Sequence, residues 1–251
     1  MKKILIGVGV VLLLGGVGYG VWYWLNQSSG SGNGEIINGG NGGEEMVVTD
    51  DFLENFRDGE IDDFWLFANG GSVDSKYEID YVREELTLTA AGSTSQWTSD
   101  DSAPLIYFPT EESFSVEVEM NFDPRADYEH AGVGVLDPSS GEWVRLSRAY
   151  DTHALEDELD IANSVYVMEK KNEEVLKYNH ANFVDTKSFL RIDRQGDEFT
   201  FYYSQKGEDW IELDKRVRSD FGDKLQVYLF VYSTNPNPIK AVFRQIIFTV
   251  L

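Results

Sequence analysis

Apolar and polar positions along this chain fall into two regimes. Ile4 to Leu25 carries no charge, whereas from Val47 onward apolar and polar residues alternate with a period of two. The first regime predicts a transmembrane helix: about 22 residues at ~1.5 Å rise cover roughly 33 Å, enough for the hydrocarbon core of a bilayer. Lys2 and Lys3 precede it and no basic residue follows closely. The positive-inside bias then leaves the N-terminus in the cytoplasm and everything after the helix outside. The segment closes on Val21-Trp22-Tyr23-Trp24-Leu25, an aromatic belt for the outer interface. It exceeds the ~7–15 apolar residues of a cleaved signal and lacks a small-x-small ending. A retained signal anchor over residues 1–25 is therefore favoured over a cleaved secretory signal.

The second regime predicts strands. Phe114, Val116, Val118, Met120 and Phe122 alternate with Ser115, Glu117, Glu119 and Asn121, the pattern of a strand with one buried and one wet face. Leu86–Thr89, Trp143–Tyr150, Leu190–Ile192, Phe199–Tyr203, Val227–Tyr232 and Ala241–Val250 read likewise. Turn signals separate them, among them Asn69-Gly70-Gly71, Asp137-Pro138-Ser139-Ser140-Gly141, Gln195-Gly196-Asp197 and Lys206-Gly207-Glu208. Short strands at this spacing predict an all-β, two-sheet antiparallel sandwich or jelly roll over residues 47–251, behind one transmembrane helix. Thr152 to Ala162 lacks an apolar stripe and reads as a loop.

Composition refines this picture at three points. Residues 26–46 are rich in Gly, Ser and Asn, a flexible linker with an r.m.s. span of roughly 25 Å. The net charge is −23 and every acidic residue follows the anchor, which disfavours nucleic acid as a partner. The absence of cysteine removes disulfides, thiol catalysis and thiolate-bound zinc.

The order of segments then becomes informative. Asp50-Asp51-Phe52, Asp62-Asp63-Phe64-Trp65, Asn69-Gly70-Gly71-Ser72 and Leu86-Thr87-Leu88 resemble the opening of concanavalin A-like (laminin-G-like) jelly rolls. Ala131–Val135, Trp143-Val144-Arg145-Leu146 and the hairpin from Leu190 through Gly207 to Trp210 are similar to the group called DUF1349 and to the C-terminal module of some β-xylosidases. The resemblance spans about residues 48–251 and implies fold far more than function, since this fold hosts sugar-binding modules, glycosidases and protein-interaction domains. It also implies a structural calcium in many members. Here Asp50 and Asp51 are the candidate ligands, but Arg244 or Gln245 stands where an acidic residue is expected.

Catalytic signatures are weak. Glu158 and Asp160 fit the first two positions of a jelly-roll glucanase Glu-x-Asp motif, but Asn163 occupies the second glutamate's place and cannot protonate a leaving group. His130, His153 and His180 are scattered and no GxSxG is present. No catalytic residue is assigned. Sugar-binding sites stack pyranose rings on aromatic side chains and fix hydroxyls with polar groups. On that basis Trp97, Trp143, Arg145, Arg148, Tyr150, Tyr228 and Tyr232 are the candidate ligand-binding residues, with Trp143 and Arg145 sharing one face and Arg148 and Tyr150 the other. Trp65 and Trp210 read as core. The strand Val227–Tyr232 is apolar on both faces, so its second face is either a concave binding surface or a covered one. The expected function is a membrane-anchored, extracytoplasmic recognition or adhesion module at the cell surface, non-catalytic, with glycan or a surface protein as partner and residues 4–25 in the membrane. The alternatives are a structural or accessory subunit of a surface assembly and an atypical glycoside hydrolase.

Overall fold

The computed structural model describes residues 46–68, 70–96, 102–152 and 163–251. The anchor expected over 1–25 and the linker up to Glu45 lie outside them. Among the described residues no helix is long and apolar enough to cross a membrane.

Among the described residues, fifteen strands, numbered in chain order, form two sheets. One runs in the order β13 (Ile211–Val217), β12 (Glu198–Ser204), β11 (Lys187–Gln195), β6 (Phe114–Asn121), β15 (Ile239–Val250), β4 (Glu85–Ala90) and β3 (Lys76–Asp80), with β1 (Phe52–Glu54) also paired to β15. The other runs β10 (Glu174–Asn182), β9 (Ser164–Lys171), β8 (Glu142–Tyr150), β7 (Glu129–Asp137), β14 (Leu225–Ser233), β5 (Leu105–Thr110) and β2 (Leu66–Ala68). The described residues thus form the expected antiparallel sandwich.

Alternation explains the core. In β6, Val116 and Val118 face inward beside Ile192 and Leu190 of β11 on one side and Phe248 and Ile246 of β15 on the other. In β15 the inward parity breaks: Ala241 and Phe243 are buried, then Ile246 and Phe248. A register shift between Phe243 and Gln245 absorbs the extra residue and leaves Arg244 exposed, paired with Glu85. The β9–β10 hairpin turns through Asn172 and Glu173 with φ of 53° and 63°. Two consecutive left-handed residues in a two-residue loop match the twist of the flanking strands.

Trp65 is buried in the core, as expected, but Trp210 is not. It is half-buried on the outer face of the eight-stranded sheet. Gly207, at φ 82°, makes the turn before it, and a Cβ there would lie 2.9 Å from the Phe189 ring. The turn therefore sets Trp210 down beside Phe189 rather than between the sheets.

Candidate functional site

β14 is buried on both faces because the seven-stranded sheet is covered on both sides. Val227, Leu229 and Val231 meet the core, while Tyr228, Phe230 and Tyr232 occupy the outer face, all at 1% exposure or less. The neighbouring strand β7 presents Gly132 and Gly134 on that face. A Cβ on Gly134 would sit 2.4 Å from Cζ of Tyr228, so the glycine is the floor on which this ring lies. Beyond it β8 places Trp143 and Arg145, and β9 places Tyr166 and Met168.

Arg145 is the centre of this face. Its guanidinium donates to Tyr232 Oη at 2.7 Å, to the Gln96 side-chain carbonyl at 3.0 Å, to the Gln96 main-chain carbonyl at 3.2 Å and to Met168 Sδ at 3.4 Å. It lies 4.1 Å from the Trp143 ring centroid and 5.1 Å from those of Phe230 and Tyr232, inside an aromatic cage. Tyr232 stacks on His130 at 4.5 Å, and the Tyr166 hydroxyl lies 2.9 Å from His130 Nδ1. That hydroxyl also donates to Asp151 Oδ2 at 3.5 Å, and Lys177 Nζ pairs with the same oxygen at 2.9 Å. Two polar groups, Gln96–Arg145–Tyr232 and His130–Tyr166–Asp151–Lys177, are therefore joined by the Tyr232–His130 ring stack across a buried aromatic surface.

Burial, with Arg145 and Lys177 nearby, holds the His130 pKa well below its ordinary value, so the imidazole is neutral. Burial pushes Tyr232 up to about 12 and Tyr166 well above the usual phenol range. Both hydroxyls stay protonated and available as hydrogen-bond donors.

Several polar atoms on this face have no partner among the described residues: Trp143 Nε1, Arg145 Nε, Ser147 Oγ and Ser164 Oγ. An unmade hydrogen bond on a buried group costs about 1–3 kcal/mol. The opposite sheet offers a contrast. A surface pocket of about 320 Å³ lies against Glu117, Glu119, Lys187, Phe189, Trp210 and Gln245. There Lys187 pairs with Glu119 at 2.8 Å and Arg191 with Glu117 at 3.5 Å. The charges of that pocket satisfy one another, as on an ordinary solvated face.

Of the residues expected to bind ligand, Trp143, Arg145, Tyr228 and Tyr232 thus share one face, but buried rather than on an open groove. Trp97 lies outside the described residues, as do Glu158, Asp160 and His153. Arg148 stands apart: it donates to the main-chain carbonyls of Ala149, Ser164 and Asp185 and to Asn163 Oδ1, which makes it a fastener of the strand ends. Tyr150, half-buried at the end of β8, falls on the Arg148 side. Asp51 accepts from the Val250 amide at 2.7 Å, and among the described residues no group of three or more His, Asp or Glu side chains gathers as a metal site. Gln96, Tyr166, Asp151, Lys177 and the role of His130 were missed. The one local signal is His130-x-Gly132-x-Gly134, which shares the outward parity of β7.

Comparison with solved structures supports the same fold. The chain is similar to the GH43 protein BlXynB from Bacillus licheniformis (17% identity, TM-score 0.63), covering 79% of this chain and 39% of that one. It therefore spans about two-fifths of that glycoside hydrolase. A functionally unknown protein from Saccharomyces cerevisiae is similar at 14% identity and TM-score 0.59, over 75% of this chain and 97% of the other. The metal-free lectin I-B4 from Griffonia simplicifolia is similar at 12% identity and TM-score 0.53, over 80% and 99%. Identities this low establish a shared fold and no more. No curated protein sequence matches the chain. The family profile described as protein of unknown function, DUF1349, matches residues 81–250, so the chain belongs to the DUF1349 family.

Proposed function

We propose that this chain is a membrane-anchored, extracytoplasmic recognition module that binds glycan without cleaving it, at the Arg145-centred face of the seven-stranded sheet, whose side chains are covered in this structure and must be uncovered for a ligand to reach them. The observation that carries this reading is the set of unpartnered polar atoms on an otherwise aromatic, networked surface. Sugars present apolar C–H faces and hydroxyl edges, the complement of Trp143 and Tyr232 with Ser147 and Arg145 between them. The non-catalytic part rests on Asp151, the carboxylate of the network among the described residues, being paired with Lys177. Hydrolysis uses two carboxylates about 5–9.5 Å apart.

Ser147→Ala tests the site gently. Its hydroxyl makes no hydrogen bond, so thermal stability is expected to stay unchanged or rise slightly. Glycan affinity of the full-length protein in detergent is expected to fall about 2–10-fold, the worth of one neutral hydrogen bond. Unchanged affinity in that variant, or a wild type silent across a broad glycan array, would overturn the reading.

The anchor rests on Ile4–Leu25 and its flanking lysines. Intact mass of the membrane fraction is expected to include residues 1–25, with the sandwich cut by protease added outside the cell. A mature N-terminus within residues 26–46 would replace the anchor by a cleaved signal.

A further inference from the structure

We propose a second binding site, apart from the Arg145 face: the pocket of about 320 Å³ on the outer side of the eight-stranded sheet takes an uncharged sugar ring, with Trp210 as its platform. It stands on other residues than the function proposed above and does not depend on it.

Sheet pairing builds the floor. Gln245 of β15, Glu119 of β6 and Phe189 of β11 stand side by side in one cross-strand row, and Ile247, Glu117 and Arg191 in the next. The residues between the rows, Ile246, Val118 and Leu190, belong to the core, so both rows face outward. After β12 the chain turns at Gly207, where Ser204 Oγ accepts from the amides of Lys206 at 3.1 Å and Gly207 at 3.0 Å. That turn sets Trp210 down as a wall of the pocket, with the Arg191 guanidinium 5.8 Å from its ring centroid. Unlike the side chains around Arg145, Trp210, Phe189, Gln245, Ile247, Glu117 and Glu119 are all partly exposed, so a ligand reaches them directly from solvent.

Charge decides what the pocket takes. Lys187 pairs with Glu119 at 2.8 Å, while Arg191 holds Asp193 through two bonds of 2.7 Å and lies 3.5 Å from Glu117. An entering anion meets two carboxylates, and an entering cation meets Lys187, Arg191 and Lys206, so neither sign is favoured. An apolar ligand would strip water from these pairs without returning hydrogen bonds. The groups left over are neutral: among the described residues, Trp210 Nε1 and the Gln245 side-chain amide make no hydrogen bond. The two glutamates, although paired, keep lone pairs for hydroxyl donors. An aromatic wall and the aliphatic Ile247 match the C–H face of a sugar, and mixed donors and acceptors match hydroxyls that do both. The volume lies at the low end of the roughly 300–1,000 Å³ of ligand pockets, which suits a single sugar unit.

The test uses the full-length protein in detergent, labelled with nitrogen-15. The Trp210 indole N–H signal is assigned by its absence in Trp210→Phe, and cellobiose, xylobiose and mannobiose are titrated in turn. At least one is expected to shift that signal saturably. Gln245→Leu keeps the bulk and removes the amide, and is expected to weaken the same titration about 2–10-fold. Trp210→Ala is expected to weaken calorimetric binding of that sugar about 5–30-fold. Ser147→Ala, on the other sheet, is expected to leave it within about twofold. If none of the three sugars shifts the Trp210 signal, or if Gln245→Leu binds as tightly as the wild type, the second site is refuted. Binding weakened by Ser147→Ala and untouched by Trp210→Ala also refutes it, while leaving the function proposed above standing. The first reading is made on the wild type, so a variant that fails to fold does not rescue the proposal.

Discussion

Replacing Arg218 by methionine is expected to lower the unfolding free energy by about 3–5 kcal/mol, the cost of breaking a buried ion pair from one side. Arg218 follows β13 and its side chain is completely buried. It forks onto Asp220 at 3.0 and 2.9 Å, pairs with Glu142, and lies 3.7 Å from Glu169. It also donates to the main-chain carbonyls of Lys170 at 3.2 Å and Trp143 at 3.4 Å, so one side chain ties a loop to β8 and β9. Methionine fills the space but leaves Glu142, Glu169 and Asp220 without the guanidinium they share, with Lys171 Nζ 3.9 Å from Asp220 as the remaining cation. For a domain of this size, a melting-temperature drop of about 6–20 °C follows. Circular dichroism on heating measures it, and a drop below about 2 °C would remove Arg218 from the account. Lysine is expected to restore only part, since a point charge cannot fork. The same contacts bear on pH. The Arg218 hydrogen bond holds the Asp220 carboxyl well below the usual carboxylate range. A depressed folded-state pKa contributes stability above the ordinary carboxylate pKa and loses it as pH falls toward the folded value. The methionine variant should therefore lose less stability on acidification than the wild type.

Phe108→Ala is expected to cost a similar amount, about 3–5 kcal/mol, for a different reason. Phe108 on β5 is fully buried at the middle of an aromatic cluster. Its ring lies 4.9 Å from Trp65, 5.2 Å from Phe52 and Phe248, and 5.9 Å from Phe64. These residues belong to both sheets and to the entry segment, so the ring closes one end of the sandwich. Alanine leaves a cavity that rigid neighbouring rings cannot refill. Urea unfolding followed by near-ultraviolet dichroism reads both the stability loss and the loosened rings. Leu53→Ala is the control: Leu53 is on β1 beside the cluster but 53% exposed, and its truncation is expected to change stability by less than ~0.5 kcal/mol. A Phe108 effect no larger than the Leu53 effect would refute the keystone role.

What was legible in the chain followed from local alternation. The strand Phe114–Phe122 could be read without ambiguity because β6 has a core face and a wet face, and polarity sorts them. The hairpin at Asn172-Glu173 escaped notice because its left-handed residues are not glycine, so no turn signal stands there. The inward parity of β15 changes at a bulge, which a strict period of two cannot register. Trp210 was read as core because an aromatic residue beside a strand usually is, yet Gly207 and Phe189 place it outside.

The candidate site shows the same division. Trp143 and Arg145 are two residues apart on one strand, so their shared face was readable directly. Their partners are remote: Gln96 is 49 residues from Arg145 and Tyr232 is 87. The strip of β14 that is apolar on both faces signalled a second surface but not whether it was open or covered. By itself the sequence determined the period-two architecture, the acidic composition and the apolar run from Ile4 to Leu25, because each depends on a residue and its near neighbours. Which aromatics reach solvent, which acceptors each buried arginine finds and which hydroxyls lack partners was decided only by the tertiary structure. Those properties belong to pairs of strands brought together by sheet pairing, and no local pattern encodes the distance between them.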